Sequence, residues 1–324
     1  MDKKGSVLII VLWIVAILVI FTVGLGYRAS LDLRLARYQR EGLKARYLAK
    51  AGVNLALAEL NKDLLGNTFD ALTESWADNQ EKFSKIILTE NELEYAVVSY
   101  PAKDGEIKYG VSDEEAKLNI NKLDIKMLTQ LFIHAGYPDD ALALANTIYE
   151  WISSAKEADE NKKLFKNAQL NAPEELLLIL EYFFQGKEED YRKKAKEVYS
   201  QIKGLFTVYG DGKVNINTVS ADVLTILAEA ESASVNPDAV ANLVAQIVAY
   251  RESETGPFKD NALKDNFLTD SEENDIFNSI KSSLKCNSQY FKIMAAGYTS
   301  SAAKNLSVVV KRGAPFEITY WHEN

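Results

Sequence analysis

The sequence predicts an α+β protein in which one long amino-terminal helix packs on a small antiparallel sheet, and a large, mostly α-helical insertion interrupts the sheet region. Three observations support this fold class. The chain begins with a long apolar run that continues into helix-forming sequence. Segments with β-type alternation occur near residue 95 and again at the carboxyl end. About 165 residues of mostly helical pattern separate the two β-type regions.

Composition narrows the function classes. The chain has 324 residues, of which 47% are hydrophobic and 26% charged, and its net charge of −9 argues against broad nucleic-acid binding. The single cysteine, Cys286, excludes an internal disulfide and a cysteine-based zinc cluster. His134 and His322 are the only histidines, so the chain has few residues that could serve in histidine-dependent catalysis. These features predict a protein that is not an enzyme.

Residues 7–25 form a run of 19 residues without a charge. At about 1.5 Å per residue a helix of this length covers roughly 28 Å, close to the thickness of a hydrocarbon core. A removable secretion signal has a shorter apolar core, although Gly24-Leu25-Gly26 could mimic its cleavage site. We therefore expect residues 6–26 to span the membrane, with a removed signal and a plain anchor as alternatives.

Residues 27–62 continue the same helix. They contain no proline and are rich in alanine, leucine, arginine and lysine, which favour helices. Apolar residues recur at spacings of three, four and seven, so one face of the rod is predicted to pack against other helices. The residues that we assign to this helix-packing interface are Leu31, Leu35, Tyr38, Leu48, Gly52 and Leu55.

The residues before the apolar run carry a family resemblance. Lys3-Lys4-Gly5 followed by "SVLIIVLWIVAILVIF" resembles the class III signal of type IV pilins and type II secretion pseudopilins. The resemblance implies that a prepilin peptidase removes residues 1–5 by cutting between Gly5 and Ser6. Ser6 would then be the N-methylated first residue, and the apolar helix would remain as anchor and filament core.

Further segments narrow the resemblance to the large minor pseudopilins of the K type (general secretion pathway protein K family). Most pseudopilins have a glutamate at mature position five, where this chain has Ile10, and the K type lacks that glutamate. "VSDEEAKLNIN", "EELLLIL", "LFTVYGDGKVNINT", "SQYFKIMAAG" and "ITYWHE" follow the K-type pattern in order. The implied fold is the pseudopilin fold.

The β-type segments predict one αβ domain that is split in two, comprising residues 63–116 and 286–324. "ELEYAVVSYPAKDGEIKYGV" has the alternation and turn of a strand pair, and "QYFKIMAAGYTSSAAKNLSVVVKRGAPFEITYWHE" predicts three strands. Residues 117–285 form the insertion. It holds an internal repeat, because "KLNINKLDIKMLTQLF" from Lys117 matches "KVNINTVSADVLTILA" from Lys213, and each copy predicts a helical hairpin. We expect the repeated asparagines to hydrogen-bond local backbone and to cap the entering helix.

The hairpins resemble helix-hairpin-helix modules, but they lack the Gly-x-Gly turn that holds phosphate. We therefore expect no nucleic acid as partner. Trp76, Trp321 and the tyrosines have no spacing that suggests a cofactor site, so we expect no organic cofactor either. Calcium has been associated with the resembled fold. Candidate calcium ligands in this chain are Glu157, Asp159 and Glu160, with the acidic residues 269–275 as a second cluster, and a solvated acidic face is the alternative for both.

The resemblance implies a non-catalytic minor pseudopilin at the tip of a type II secretion pseudopilus, which initiates or caps its assembly and supports protein export across the outer membrane. Implied partners are the I- and J-type minor pseudopilins, the prepilin peptidase and the inner-membrane secretion platform, with the secreted substrate or the outer-membrane secretin as further contacts. The alternatives are a tip-like minor pilin of a type IV pilus or DNA-uptake filament, and a membrane-anchored periplasmic enzyme.

The implied location is the bacterial inner membrane, crossed once, with the amino terminus in the cytoplasm and the carboxyl-terminal domain in the periplasm. The charges that flank the apolar run point the other way. Cations after the run outnumber Lys3 and Lys4, so positive-inside counting would keep the carboxyl-terminal part in the cytoplasm. The orientation therefore follows from the resemblance alone.

Overall fold

The computed structural model describes residues 3–102, 105–153, 165–231, 236–260, 263 and 267–323. Helix α1 (Lys3–Gly66) is continuous through the apolar run and the amphipathic segment. The first proline of the chain is Pro101, so no proline interrupts the helix. The last residue of the helix is glycine, which commonly ends helices. The predicted single rod is thus observed.

The other elements of the described residues follow in chain order. The helices are α2 (Gln80–Phe83), α3 (Ile125–His134), α4 (Ala141–Ile152), α5 (Leu176–Phe184), α6 (Tyr191–Ile202), α7 (Ala221–Glu231), α8 (Pro237–Glu252) and α9 (Ser271–Ile280). The strands are β1 (Ile86–Ile87), β2 (Tyr95–Val98), β3 (Tyr100–Pro101), β4 (Ile107–Lys108), β5 (Ser112–Asp113), β6 (Leu118–Asn119), β7 (Phe206–Thr207), β8 (Val214–Asn215), β9 (Leu284–Lys285), β10 (Tyr290–Tyr298), β11 (Ala303–Lys311) and β12 (Glu317–Glu323).

The main sheet is antiparallel and has the order β1-β2-β10-β11-β12, with β5 also paired to β10. Strands β10 and β11 form its longest pair, from Tyr290 opposite Lys311 to Tyr298 opposite Ala303. Buried residues alternate along β10, as expected for a strand with one face on a core. Strands from both sides of the long insertion therefore share one sheet, which confirms the predicted α+β class.

The carboxyl-terminal half of α1 lies across this sheet. Its buried residues recur at three- and four-residue spacing and are mostly small, so the helix axis can approach the strands closely. They pack with strand residues and with the buried side chains of Trp76 and Phe83 in one core. The helix residues of this core are Leu48, Ala49, Val53, Ala56 and Leu60.

The two sequence repeats give the insertion two similar halves. In each, a two-residue strand leads into a helical hairpin, which is α3 with α4 in the first half and α7 with α8 in the second. Strand β6 pairs in parallel with β7, and β8 pairs in parallel with β9. The insertion has two hydrophobic cores, one shared by α3 to α6 and one shared by α7 to α9, and Met127 and Leu131 of α3 also pack into the second core. The second half joins the main sheet directly, because β9 precedes β10.

Candidate partner-binding helix and the network that anchors it

The amino-terminal part of α1 contacts little else in the described part of the chain. From Val7 to Arg40 almost every side chain is exposed, including Trp13, Phe21 and Tyr27. A window of this stretch has a mean hydropathy of 3.2, so α1 is long and apolar enough to cross a membrane. The sequence of α1 therefore provides a candidate single-pass anchor.

The six residues predicted to form the helix-packing interface divide into two groups. Leu31, Leu35 and Tyr38 are 45%, 56% and 65% exposed, and Leu55 lies at the surface. Leu48 is 6% exposed and belongs to the core under the sheet. A Cβ on Gly52 would lie 3.3 Å from Val98 Cγ2, in β2. Leu48 and Gly52 therefore lie on the side of the helix that faces the chain's own sheet, because their part of the helix lies over it.

Leu31, Leu35 and Tyr38 form what we call the free stripe. On an ideal helix, which turns about 100° per residue, they lie within roughly 60° of one another. Toward the carboxyl end of α1, the same face of the helix includes Ala49, Ala56 and other residues that the sheet covers. The free stripe is thus the uncovered upper part of the face that packs internally below.

A second apolar surface lies on another side of α1. It is a groove of about 320 Å³ between the helix and the residues that follow β1, and Leu43, Tyr47, Ala51 and Leu88 supply its apolar walls. The Lys44 ammonium, 2.7 Å from Glu94 Oε1, lies at its edge. The sequence did not single out this groove, because the turn after β1 closes it only in three dimensions.

The lower end of α1 is tied to the sheet by Arg312, at the end of β11. Arg312 Nη2 lies 3.3 Å from Asp63 Oδ2 of α1 and 2.7 Å from Asp70 Oδ1. Arg312 Nη1 donates to Asp70 Oδ2 and to the carbonyl oxygen of Ser288. Burial raises the pKa of Asp70, and the Arg312 guanidinium opposes this. One largely buried cation, directly after β11, therefore joins the helix, the loop after it and the loop before β10.

The Glu74 carboxylate lies beside Asp63 and Asp70, the two acidic partners of Arg312. Carboxylate oxygens of Asp63, Asp70 and Glu74 all lie within 4.8 Å of one another, a grouping that a metal ion could use. Burial raises the pKa of Glu74 to about 7, and the Asp63 carboxylate acts in the same direction. The Arg312 guanidinium already supplies the positive charge for Asp63 and Asp70, so we treat the group as an ion-pair network.

Asp113, at the end of β5, joins the sheet to the insertion. Its Oδ2 atom accepts hydrogen bonds from Asn215 Nδ2 at 3.1 Å, Thr218 Oγ1 at 2.6 Å and Ser288 Oγ at 2.6 Å. Its Oδ1 atom accepts from the backbone N–H of Glu115. Burial raises the pKa of the Asp113 carboxyl to about 7, while the Ser288 and Thr218 hydroxyls act against the rise.

The two carboxylates that follow are also buried but have cations beside them. Glu114 lies 2.6 Å from Lys117 Nζ and accepts from Thr207 Oγ1, and these partners hold its pKa below the usual value despite burial. Glu115 lies 2.8 Å from Lys285 Nζ. Buried charges in proteins are stable only when paired in this way. The sequence contained "SDEEAK" as part of the family resemblance, but not these long-range partners.

The repeated asparagines hydrogen-bond local backbone as predicted, since Asn119 and Asn215 accept from the N–H groups of Asn121 and Asn217, but they do not cap the helices. Asp124 and Ser220 hold that position, accepting from the N–H of Met127 and Val223 respectively. Asn217 instead exchanges two hydrogen bonds with the backbone of Phe258, both 2.8 Å long.

The first copy repeats this arrangement. Asn121 donates to the carbonyl oxygen of Leu170 and accepts from its N–H. In both halves of the insertion the asparagine pairs with a distant backbone segment as a strand would. Each asparagine comes shortly after a two-residue strand. Its side-chain amide bonds to the backbone N–H and C=O groups of Leu170 or Phe258, which are buried and need hydrogen-bond partners.

The predicted calcium ligands Glu157, Asp159 and Glu160 lie outside the described residues. In the second acidic cluster, Asp270 caps α9 by accepting from the N–H groups of Glu272 and Glu273. Glu273 is buried and accepts from Gln246 Nε2. The Asp270 and Glu273 carboxylates thus have structural partners of their own.

Comparisons with known proteins bear on the fold. No family model matches the sequence, and no curated protein matches it. A solved structure does match. It is the crystal structure of the GspK-GspI-GspJ complex from the enterotoxigenic Escherichia coli type 2 secretion system, one chain of which aligns with a TM-score of 0.64. The alignment covers 89% of this chain and 99% of that chain, at 16% sequence identity.

The chain has the pseudopilin fold. The match covers too much of both chains to reflect the long helix alone, because α1 accounts for 64 residues only. In this pseudopilin fold the helix supplies the free stripe and the groove as exposed surfaces. The network around Arg312 and Asp113 fixes the helix, the sheet and the insertion to one another.

Proposed function

We propose that this chain is a minor pseudopilin of the K type, and that it acts at the tip of a type II secretion pseudopilus. The single observation that carries the proposal is the structural match to a chain of a GspK-GspI-GspJ complex over nearly all of both chains. The leader-like sequence, Ile10 and the free stripe support it. In this role the protein is a structural subunit and does no chemistry of its own.

Assembly with the I- and J-type minor pseudopilins uses the free stripe. Leu31, Leu35 and Tyr38 present apolar surface that nothing in the described chain covers, and its burial against partner helices favours association. Leu48 and Gly52 contribute indirectly by holding the helix on the sheet. A charged substitution at Leu48 would disturb the fold, so it does not test the interface.

Membrane processing follows from the amino end. In this proposal the prepilin peptidase cuts between Gly5 and Ser6 on the cytoplasmic side, and Ser6 is methylated. Both residues lie in the first turns of α1 in the uncut chain, so the peptidase must unwind that turn first. Residues 6–26 remain in the inner membrane, and the rest of the chain is periplasmic.

The tip position follows from the insertion and from Ile10. A carboxylate in the bilayer is stable only when paired, and in the family it meets the amino terminus of a neighbouring subunit. A subunit with isoleucine there does not need that neighbour. Residues 117–285 add bulk to the split domain of residues 63–116 and 286–324, which suits a cap that touches the secretin or a secreted substrate, while the inner-membrane platform is a partner at the base of the filament.

Co-purification from membranes tests the assembly step. Leu35→Asp places a charge on the free stripe, and Leu33→Asp makes the same change at a 62% exposed residue about 200° from Leu31 on an ideal helix. We expect Leu35→Asp to lower the recovered I- and J-type partners about tenfold, which corresponds to roughly 1.4 kcal/mol. Leu33→Asp should leave recovery near the wild-type amount.

Three results would contradict this proposal. Unchanged recovery with Leu35→Asp would remove the free stripe from the interface. A larger loss with Leu33→Asp would move the interface to the side of α1 that carries the groove. Recovery of pilus proteins or of DNA with the wild-type chain, in place of secretion partners, would favour a type IV pilus or DNA-uptake filament.

A further inference from the structure

A polar cleft lies where the second half of the insertion meets the sheet. It has a volume of about 590 Å³, and we call it the Lys285 cleft. It is formed by the loop before β8, the end of α9 with the turn after it, and the residues on either side of β9. Its polar side chains are Asp211, Lys213, Asn278, Lys281, Ser282, Lys285, Asn287 and Gln289. The cleft is separate from the surfaces of α1 described above.

The charge of this cleft is opposite to that of the whole protein. Three lysines and one aspartate line it, and the Glu115 carboxylate pairs with Lys285 at its base, which leaves one more positive than negative charge on a chain with a net charge of −9. Lining groups of one sign raise the local concentration of ligands of the other sign. The chemistry of the cleft therefore favours an anionic ligand.

Lys285 is fixed at the base of the cleft. Its side chain is 9% exposed, and its Nζ lies 2.8 Å from Glu115 Oε1 and 3.1 Å from Asp211 Oδ1. An ammonium has three N–H donors, so these two partners leave one donor for a ligand. The Asp211 side chain is 59% exposed, and a ligand carboxylate could take its place without unpairing Glu115.

The other donors of the cleft are uncommitted. The side chains of Lys213, Lys281, Asn278 and Asn287 make no hydrogen bond or ion pair with other residues that the structure describes. Lysine ammoniums suit carboxylate or phosphate oxygens, and the asparagine amides can both donate to and accept from a peptide backbone. The buried side chain of Leu284 completes the wall. This combination resembles a peptide site more than a site for one inorganic ion.

We infer that the Lys285 cleft binds an acidic peptide segment, whose carboxylates pair with Lys213, Lys281 and Lys285 and whose backbone bonds to Asn278 and Asn287. The cleft volume falls within the range of ordinary ligand sites and exceeds what a single small anion fills. The inference does not depend on the filament role. It assigns a binding activity to the insertion rather than to the long helix.

Fluorescence anisotropy with a labelled hexaglutamate peptide tests this inference. The full-length protein in detergent micelles is titrated at low salt, because exposed charge pairs are screened as salt rises. The Lys213→Ala/Lys281→Ala double variant removes two cleft charges. Its matched control, Lys193→Ala/Lys196→Ala, removes two exposed charges from α6, in the other half of the insertion. Thermal unfolding of each variant confirms that it is folded.

We expect hexaglutamate to bind the wild-type protein, hexaglutamine not to bind, and the cleft variant to weaken binding at least about tenfold while the control variant changes it less than about twofold. Absence of binding, or equal weakening by both variants, would overturn the inference. Inorganic phosphate and free glutamate are also used as competitors. If phosphate displaces the labelled peptide at a lower concentration than free glutamate does, the inference is overturned, because the cleft would then be a small-anion site.

Discussion

Gly297 of β10 lies directly against the backbone of Ala45 in α1. A Cβ at residue 297 would overlap the Ala45 carbonyl oxygen and would lie 2.6 Å from the Ala49 nitrogen. Real Cβ atoms do not approach backbone this closely, so the helix can lie on this strand only because residue 297 has no side chain. The contact sets the distance between the long helix and the sheet at the point where the helix first meets the sheet.

Gly297→Ala should therefore destabilise the protein by about 1–3 kcal/mol, the usual range for overpacking a tight contact. The expected readout is a fall of several degrees in the melting temperature of the detergent-solubilised protein. Gly204→Ala is the control, since a Cβ there would meet nothing within 4 Å. Equal melting temperatures for both variants would mean that the helix does not sit this close to the strand.

The regular elements of the fold were predictable from local sequence. The apolar run and the proline-free stretch after it predict one helix, and α1 is one helix from Lys3 to Gly66. The carboxyl-terminal segment predicts three strands, and β10, β11 and β12 lie there. These elements follow from periodicity and turn chemistry, which act over a few residues.

The contacts that anchor the helix were not predictable in the same way. Asp113 and Asn215 are 102 residues apart in sequence, and Arg312 and Asp70 are 242 apart, so no local pattern links them. The amphipathic stripe of α1 was recognised, but the sequence could not show where along it the sheet begins. Leu48 and Gly52 were therefore assigned to a partner interface, although the chain's own sheet covers them.

Arg312→Leu should be among the most damaging substitutions. It would leave the fully buried Asp70 carboxylate without its cation, and breaking a buried pair in this way typically costs about 3–5 kcal/mol. Asp70→Asn in the Arg312→Leu background should restore part of the loss, because the remaining buried group is then neutral. Chemical denaturation of the four proteins of this double-mutant cycle measures the coupling.

Arg46→Leu provides the comparison for that cycle. Arg46 Nη2 lies 2.8 Å from Glu323 Oε1, but both groups are exposed to solvent, and such pairs contribute little to stability. We expect its denaturation midpoint to remain close to that of the wild type. A midpoint for Arg312→Leu that is no lower than that of Arg46→Leu would refute the anchoring role of Arg312.

Asp113 should make stability depend on pH. Its pKa is raised to about 7 in the folded protein from an ordinary value of 3.8, so the folded state binds this proton more tightly than the unfolded state does. The stability from this group is therefore fully present below about pH 4 and declines as pH rises toward about 7. The nearby carboxylates of Glu115 and Asp70 also raise the pKa of Asp113.

Asp113→Asn removes that titration. The melting temperature of the variant, expressed relative to the wild type, should therefore be higher at pH 8 than at pH 5, whatever the absolute cost of the lost carboxylate. Asp139→Asn, which makes the same change at an exposed residue, is the control. If the difference in melting temperature between Asp113→Asn and the wild type did not change with pH, the pKa of Asp113 would not be raised in the folded protein.

The most direct test of the whole account is the mass of the first peptide of the protein extracted from bacterial membranes. In the role proposed above, removal of residues 1–5 with retention of the apolar helix would turn this chain into a filament subunit. We predict that the membrane-extracted protein begins at Ser6 and carries one methyl group on its amino nitrogen. A protein that still begins at Met1, or one that starts beyond Gly26, would contradict the account.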